Sequence, residues 1–234
     1  SIGWRGHWHH TAREPVEPTD MIGINRILLS TPLYEDLVAG RGRLYAGIPV
    51  VNDVARADSF NKITLRDGLG EDDQYLMLDG LGGVTYSGND ANALAEYSRF
   101  GTPLIVQYTL KHEPFYQNTC SVSRGNAGDP VATFAELQQM ADLGRVLYTQ
   151  SLLSPLQGAD HTRHVFMERG GQVVILDDLR VHEADEYFLA CTFRGLGEPE
   201  IDQAAGAWTL RNEQADLHLQ RIALPGVSPT PRLV

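Results

Sequence analysis

The sequence has no G-x-S-x-G elbow, no Walker-type phosphate loop and no C-x-x-C pair, which removes the usual signatures of α/β-hydrolases, P-loop NTPases and zinc ribbons. It also lacks any long apolar run. The candidates "RILLS" and "QVVIL" are only strand length, far short of the roughly 20 residues a helix needs to cross a bilayer, so membrane insertion is not expected. Positive charge is scarce: 19 Lys and Arg against 30 Asp and Glu give a net charge of −11. Such a field repels nucleic acid and acidic membrane surfaces on average, and no nucleic-acid partner is expected. An anionic partner would need a local patch, for which Arg41 with Arg43 and Arg56 with Lys62 and Arg66 are the candidates. Only two cysteines occur. Cys120 and Cys191 are read first as two buried free thiols, with a disulfide as the alternative; it would close a loop of about 70 residues and contribute about 4 kcal/mol in the chain-entropy model.

What is present is an apolar fraction of 42% over 234 residues, enough to build a sizeable core. Short segments rich in Val, Ile, Leu, Tyr and Thr recur every ten to fifteen residues or so, separated by Gly, Asn, Asp or Pro, which is the rhythm of an all-β protein. Strands are expected at 25–30, 60–66, 74–79, 103–109, 118–123, 145–152, 162–168, 172–178, 186–194, 207–211 and near 215–223. "RHVFMERGGQVVILDD" reads as a hairpin, with Gly170 and Gly171 supplying positive φ at a tight turn and Asp177-Asp178 closing it. "ATFAELQQMADLG", 132–144, is expected to be a short surface helix, with Leu137, Met140 and Ala141 on one face and Gly144 as its stop. Residues 90–97, "DANALAEY" from 90 on, have helical propensity but lie between strands. No repeat or low-complexity run divides the chain. The expected organisation is an N-terminal arm over 1–24, a large antiparallel β-sandwich over 25–224 and a linker-like tail over 225–234, with both ends reading as cuts in a longer parent.

The order of motifs resembles one family. "FNKITLRDGLGEDDQYLMLDGLGG" followed by "DANAL" is similar to the β-sandwich domain of the heparinase II/III-like polysaccharide lyases, which carries F-D-K-I-x-x-R, then D-D-Q-Y-L-L-L-D-G, then G-x-H-x-H-x-D-x-N-A. "QVVILDDLRVHEADEYFLACTFRGLGEP" resembles the later strand pair of the same family, and the likeness covers roughly residues 55 to 220. It implies a supersandwich-like fold and an extracellular or periplasmic location. It also implies a site in which the two histidines of H-x-H face the substrate and a metal.

The departures from that pattern bear on function. The family histidines fall on Tyr86 and Gly88, an acidic residue expected in the following strand falls near Gln107, and a His-Asn pair further on reads Gln117-Asn118. Asp90 and Asn92 keep the family's residue types. Amides are poor substitutes for imidazole or carboxylate as zinc ligands, so the resemblance describes a degenerate site that needs no cofactor. Uronate elimination requires charge neutralisation at the carboxylate, removal of the C5 proton and protonation of the leaving oxygen, each by a positioned group. The helical toroid that the resemblance places upstream would supply part of that set, and residues 1–50 are too few and too rich in Pro and Gly to form it. Tyr86 is read first as a packed or stacking aromatic; as the alternative it could move a proton if cationic neighbours lowered its pKa.

Other clusters read more plainly. His7, His9 and His10 could hold a metal if a further ligand came from elsewhere, but an exposed arm packing its aromatics is the simpler view. His161 and His164 flank Arg163 ahead of the "VFME" strand, where they could line a cleft, although polar runs at strand entrances are usually solvated. Asp72-Asp73 and Asp177-Asp178 lack the alternating ligands of a calcium loop. The expected function is a non-catalytic heparinase-like module with a structural, assembly or carbohydrate-contact role, partnered by polysaccharide, by other domains of a longer precursor or by copies of itself. The alternative is the sandwich half of a polysaccharide lyase acting on uronate-containing glycans.

Overall fold

The computed structural model describes residues 21–39, 44–45, 48–82, 91–107, 117–125 and 129–222. Seventeen strands and one helix are assigned in it, and the fold is an all-β sandwich. One layer is a five-stranded antiparallel sheet in the order β1 (Gly23–Ile27), β4 (Lys62–Arg66), β5 (Tyr75–Asp79), β6 (Ala93–Arg99), β7 (Thr102–Val106). The other is seven-stranded. Its path runs from β13 (Val173–Val181) through β12 (Ala159–Glu168), β11 (Val146–Leu156), β9 (Val131–Ala132) and β3 (Ile48–Val51) to β2 (Leu44–Tyr45), while β10 (Glu136–Asp142) pairs with β11. A two-stranded ribbon joins β8 (Cys120–Ser123) to β14 (Phe188–Cys191), and β15 (Glu198–Asp202), β16 (Ala207–Arg211) and β17 (Leu217–Gln220) form a three-stranded sheet.

Period-2 alternation explains how the layers meet. In β12 the odd-numbered residues from Ala159 to Met167 are buried and the even-numbered ones are not, as expected of a strand with one face on a core. Ile63, Leu65, Leu76, Leu78 and Leu94 from the five-stranded sheet pack into one cluster with Leu147, Leu153, Val165 and Met167 from the other. The burial of such side chains, about 1.5–3 kcal/mol each, is the main force holding the layers together.

The helix is elsewhere than expected. Residues 132–144 form the end of β9 and all of β10, whereas the helix α1 occupies Thr31–Ala39. Ser30 caps it: its Oγ accepts from the Leu33 amide at 3.4 Å, and Leu33 and Leu37 bury one face against Leu29, Leu81 and Phe134. In 132–144 six backbone pairings with β11 outweigh local propensity, Leu137 packs on the core, and Met140 is 51% exposed on the edge strand. Of the ambiguous stretch 90–97, residues 93–97 lie in β6, while residue 90 is outside the described residues; β2, β3 and β15 are strands that the pattern did not mark. The β12–β13 hairpin is as expected, but its turn uses one left-handed glycine, Gly170 at φ 65°, with Gly171 donating to the Glu168 carbonyl. Asp177 and Asp178 do not close that hairpin; they lie in mid-strand.

Cys120 and Cys191 are joined in a disulfide, which overturns the free-thiol reading. They sit directly opposite each other where β8 pairs with β14, so strand register brings the sulfurs together. Spacing along the chain could not show this.

Candidate functional site

A buried polar network lies between the two layers. Arg163 of β12 is fully buried and pairs across the hairpin with Asp177 of β13. Its Nε donates to Oδ1 at 2.7 Å and its Nη2 to Oδ2 at 3.0 Å, while Nη1 donates to the carbonyls of Asn92 at 2.8 Å and Asn118 at 2.9 Å. One guanidinium therefore ties the seven-stranded sheet to the two segments that carry Asn92 and Asn118. Such a fork is what Arg offers and Lys does not.

His161, two residues earlier on the same face, is also fully buried, and its Nε2 lies 2.8 Å from Asp177 Oδ1. Its Nδ1 has no hydrogen-bond partner. Burial, reinforced by repulsion from Arg163, pushes the imidazole below its ordinary pKa despite the bond to Asp177, so it is neutral near pH 7. For Asp177 burial alone would raise the carboxyl, but the Arg163 charge and the hydrogen bonds from His161 and Arg163 outweigh it and hold the group well below the usual range. The reading of 161–164 as a solvated strand entrance is thus corrected for His161 and Arg163. His164 points the other way, with Nδ1 3.0 Å from the Tyr148 hydroxyl.

Asn92 closes the network from above. It takes φ 62°, a left-handed conformation that Asn tolerates better than most residues, and is fully buried. Its Nδ2 donates to the His161 carbonyl at 3.3 Å and its Oδ1 accepts from Ser151 Oγ. Asn118 donates from Nδ2 to the Leu94 carbonyl at 2.9 Å and accepts from the Arg194 amide. Two residues assigned by resemblance to a degenerate site are therefore anchors of the backbone around it.

Gln107, just beyond β7, and Gln117 meet directly: Gln107 Nε2 donates to Gln117 Oε1 at 2.6 Å. These are the positions where the resemblance expects an acidic residue and a histidine, and the fold sets them side by side. Carboxamides neither titrate near neutrality nor bind zinc well, and here each amide engages the other, so this pair does not fit the metal that the family pattern implies. Tyr86, Gly88 and Asp90 lie outside the described residues, as do His7, His9, His10, Arg41 and Arg43.

The other basic candidates are engaged within the fold. Arg56 donates to the Leu29 carbonyl, Lys62 pairs with Asp79 directly across the β4–β5 ladder, and Arg66 lies over the Tyr75 ring at 4.1 Å. Among the described residues one trio of His, Cys and acidic side chains could hold a metal, namely Cys120, His161 and Asp177, whose ligand atoms all lie within 4.8 Å of one another. Sequence reasoning missed this trio and the Arg163–Asp177 pair. The available signal was parity: His161 and Arg163 share the face of Val165 and Met167, which are plainly core residues.

No protein-family model and no curated protein matches the sequence. Solved structures do match the fold. A heparinase III gene product is 15% identical with a TM-score of 0.57, over 72% of this chain and 28% of that one. Heparan sulfate lyase HepC from Pedobacter heparinus is 12% identical with a TM-score of 0.56, over 73% and 29%. A further heparinase III structure is 11% identical with a TM-score of 0.53, over 88% and 38%. The chain thus spans well under half the length of the structures it resembles, and at these identities the likeness is one of fold: a heparinase-like β-sandwich.

Proposed function

We propose that this chain is a non-catalytic heparinase-like sandwich module with a structural, assembly or carbohydrate-contact role in a larger extracellular or periplasmic protein. The observation that carries the reading is the Gln107–Gln117 pair: where elimination chemistry of this type would use titratable or metal-binding groups, two carboxamides bond to each other at 2.6 Å. Asn92 and Asn118 support it, because their side chains are spent on backbone groups and on Ser151.

A second reading is favoured by the fold likeness itself. The chain would be the sandwich half of a polysaccharide lyase whose remaining groups lie on another segment, with Tyr86 moving the proton. Incubating the chain with heparin, heparan sulfate and alginate, and following the ultraviolet absorbance of an unsaturated uronate product, separates the two. The module reading expects no product with any of the glycans, with or without added zinc. Product formation that disappears in Tyr86→Phe would overturn it.

A further inference from the structure

Strand β13 ends the path of the seven-stranded sheet, and among the described residues no strand pairs with its outer side. Its register with β12 runs unbroken from Val173 to Val181, with no proline and no bulge to blunt the edge. Two hydrogen bonds fix which backbone groups face outward. At one end the Glu168 amide donates to the Gln172 carbonyl and at the other the His182 amide donates to the Gly158 carbonyl, both at 2.9 Å, so the even-numbered residues of this strand bond to β12. Antiparallel ladders alternate, and the N–H and C=O groups of Val173, Ile175, Asp177, Leu179 and Val181 therefore point away from the sheet.

The core is open on the same side. The inward residues of β12, from Ala159 to Met167, are fully buried, whereas Val173, Ile175 and Leu179 of β13 pack on that core and stay only partly buried, and Val181 is 42% exposed. One more strand alongside would cover them. Asp177 also points inward, but Arg163 engages its charge, so it does not guard the edge as an inward charge otherwise would. On the outer face Asp178 and Arg180 are exposed, opposite in charge and two residues apart, and neither forms an ion pair among the described residues.

We propose that β13 pairs with β13 of a second copy of this chain, antiparallel about a two-fold axis at Leu179, so that two seven-stranded sheets become one. This names the surface for the assembly role of the module and rests on that reading. In this register Leu179 faces its own counterpart and Asp177 faces Val181 of the partner subunit, and each pair exchanges both of its outward backbone bonds. Asp178 falls opposite Arg180 of the partner subunit, twice by symmetry, as a non-hydrogen-bonded pair, the kind whose side chains approach more closely. The edge is thus complementary to itself, as a closed two-fold interface demands. Neighbouring registers lack this match: an axis at Asp178 or Arg180 sets like charges face to face, and one at Asp177 sets Asp178 against Leu176.

Sedimentation equilibrium of the chain over a concentration series reaching about 0.5 mM reads the association, since a contact one strand wide belongs with the weaker interfaces. Monomer and dimer should exchange with concentration. Asp178→Arg and Arg180→Asp, both at exposed positions, should each weaken dimerisation at least about tenfold by setting like charges across the axis. An equimolar mixture of the two variants should regain it, because each chain then meets the opposite charges of the other. In the parent chain, amide hydrogen exchange at Asp177, Leu179 and Val181 should slow as concentration rises. A chain that stays monomeric, a mixture that does not associate, or amides that exchange at one rate throughout would overturn the proposal. So would a dimer indifferent to both reversals, which would place the contact elsewhere. Glycan cleavage by the chain bears only on the non-catalytic reading, so the two fail separately.

Discussion

Arg163 and Asp177 face each other across the β12–β13 ladder, joined by two hydrogen bonds and cut off from solvent on the arginine side. Replacing Asp177 by Asn leaves a buried guanidinium without its counter-charge. We expect Asp177→Asn to lower stability by about 3–5 kcal/mol, and Asp177→Asn combined with Arg163→Met to recover part of that loss. Guanidinium unfolding of the variants checks it. A cost below about 1 kcal/mol for the single variant would mean that water reaches the pair.

Asn92 combines positive φ with a buried side chain bonded at both ends. Asn92→Gly loses only the side-chain bonds, whereas Asn92→Ala also carries the left-handed strain. Both should destabilise, with alanine about 1 kcal/mol worse than glycine. Equal losses in thermal or denaturant unfolding would show that the conformation relaxes on substitution.

The disulfide spans a sequence separation of 71, and in the chain-entropy model removing it costs about 4 kcal/mol. In metal-free buffer with a chelator, a reductant should lower the unfolding midpoint of the parent chain. The same reductant should leave that of Cys120→Ala with Cys191→Ala unchanged.

Asp142 is held at a pKa of about 2 by hydrogen bonds from Arg169 and the Gly144 amide. Its folded pKa lies below the unfolded value near 3.9, so its stabilisation is present above that value and disappears as pH falls through about 2. The side chain is half exposed, which keeps the contribution below about 1 kcal/mol. The stability difference between the parent and Asp142→Asn should be constant from neutrality to about pH 5 and vanish near pH 2, as followed by denaturation at stepped pH.

Much of the fold could be read from composition and punctuation. β4, β5, β7, β11, β12, β13 and β16 fall close to their expected places because short runs rich in Val, Ile, Leu, Tyr and Thr are set off by Gly, Asn, Asp or Pro, which favour pleated segments joined by turns. The stretch 132–144 defeated the same method, since Leu137, Met140 and Ala141 recur at helical spacing and only the partner strand β11 makes the segment extended. Helix α1 went unmarked although Ser30, Thr31 and Pro32 form a fair start signal, because its nine residues carry a short pattern between strands. Of the site, residue identity alone showed that Gln107 and Gln117 cannot do the work of a carboxylate and an imidazole. That the two meet was invisible, since their contact crosses ten residues of chain and depends on where β7 ends.

The sequence by itself determined the strand-rich class, the acidic surface and the amides in place of titratable groups, since composition and side-chain chemistry do not depend on context. Tertiary structure alone decided that Cys120 meets Cys191, that Arg163 spends its donors on Asp177, Asn92 and Asn118, and that His161 is left with one nitrogen unsatisfied. Each of those facts comes from strand register and sheet packing, which set distances between residues remote in the chain, and no local pattern encodes such a distance.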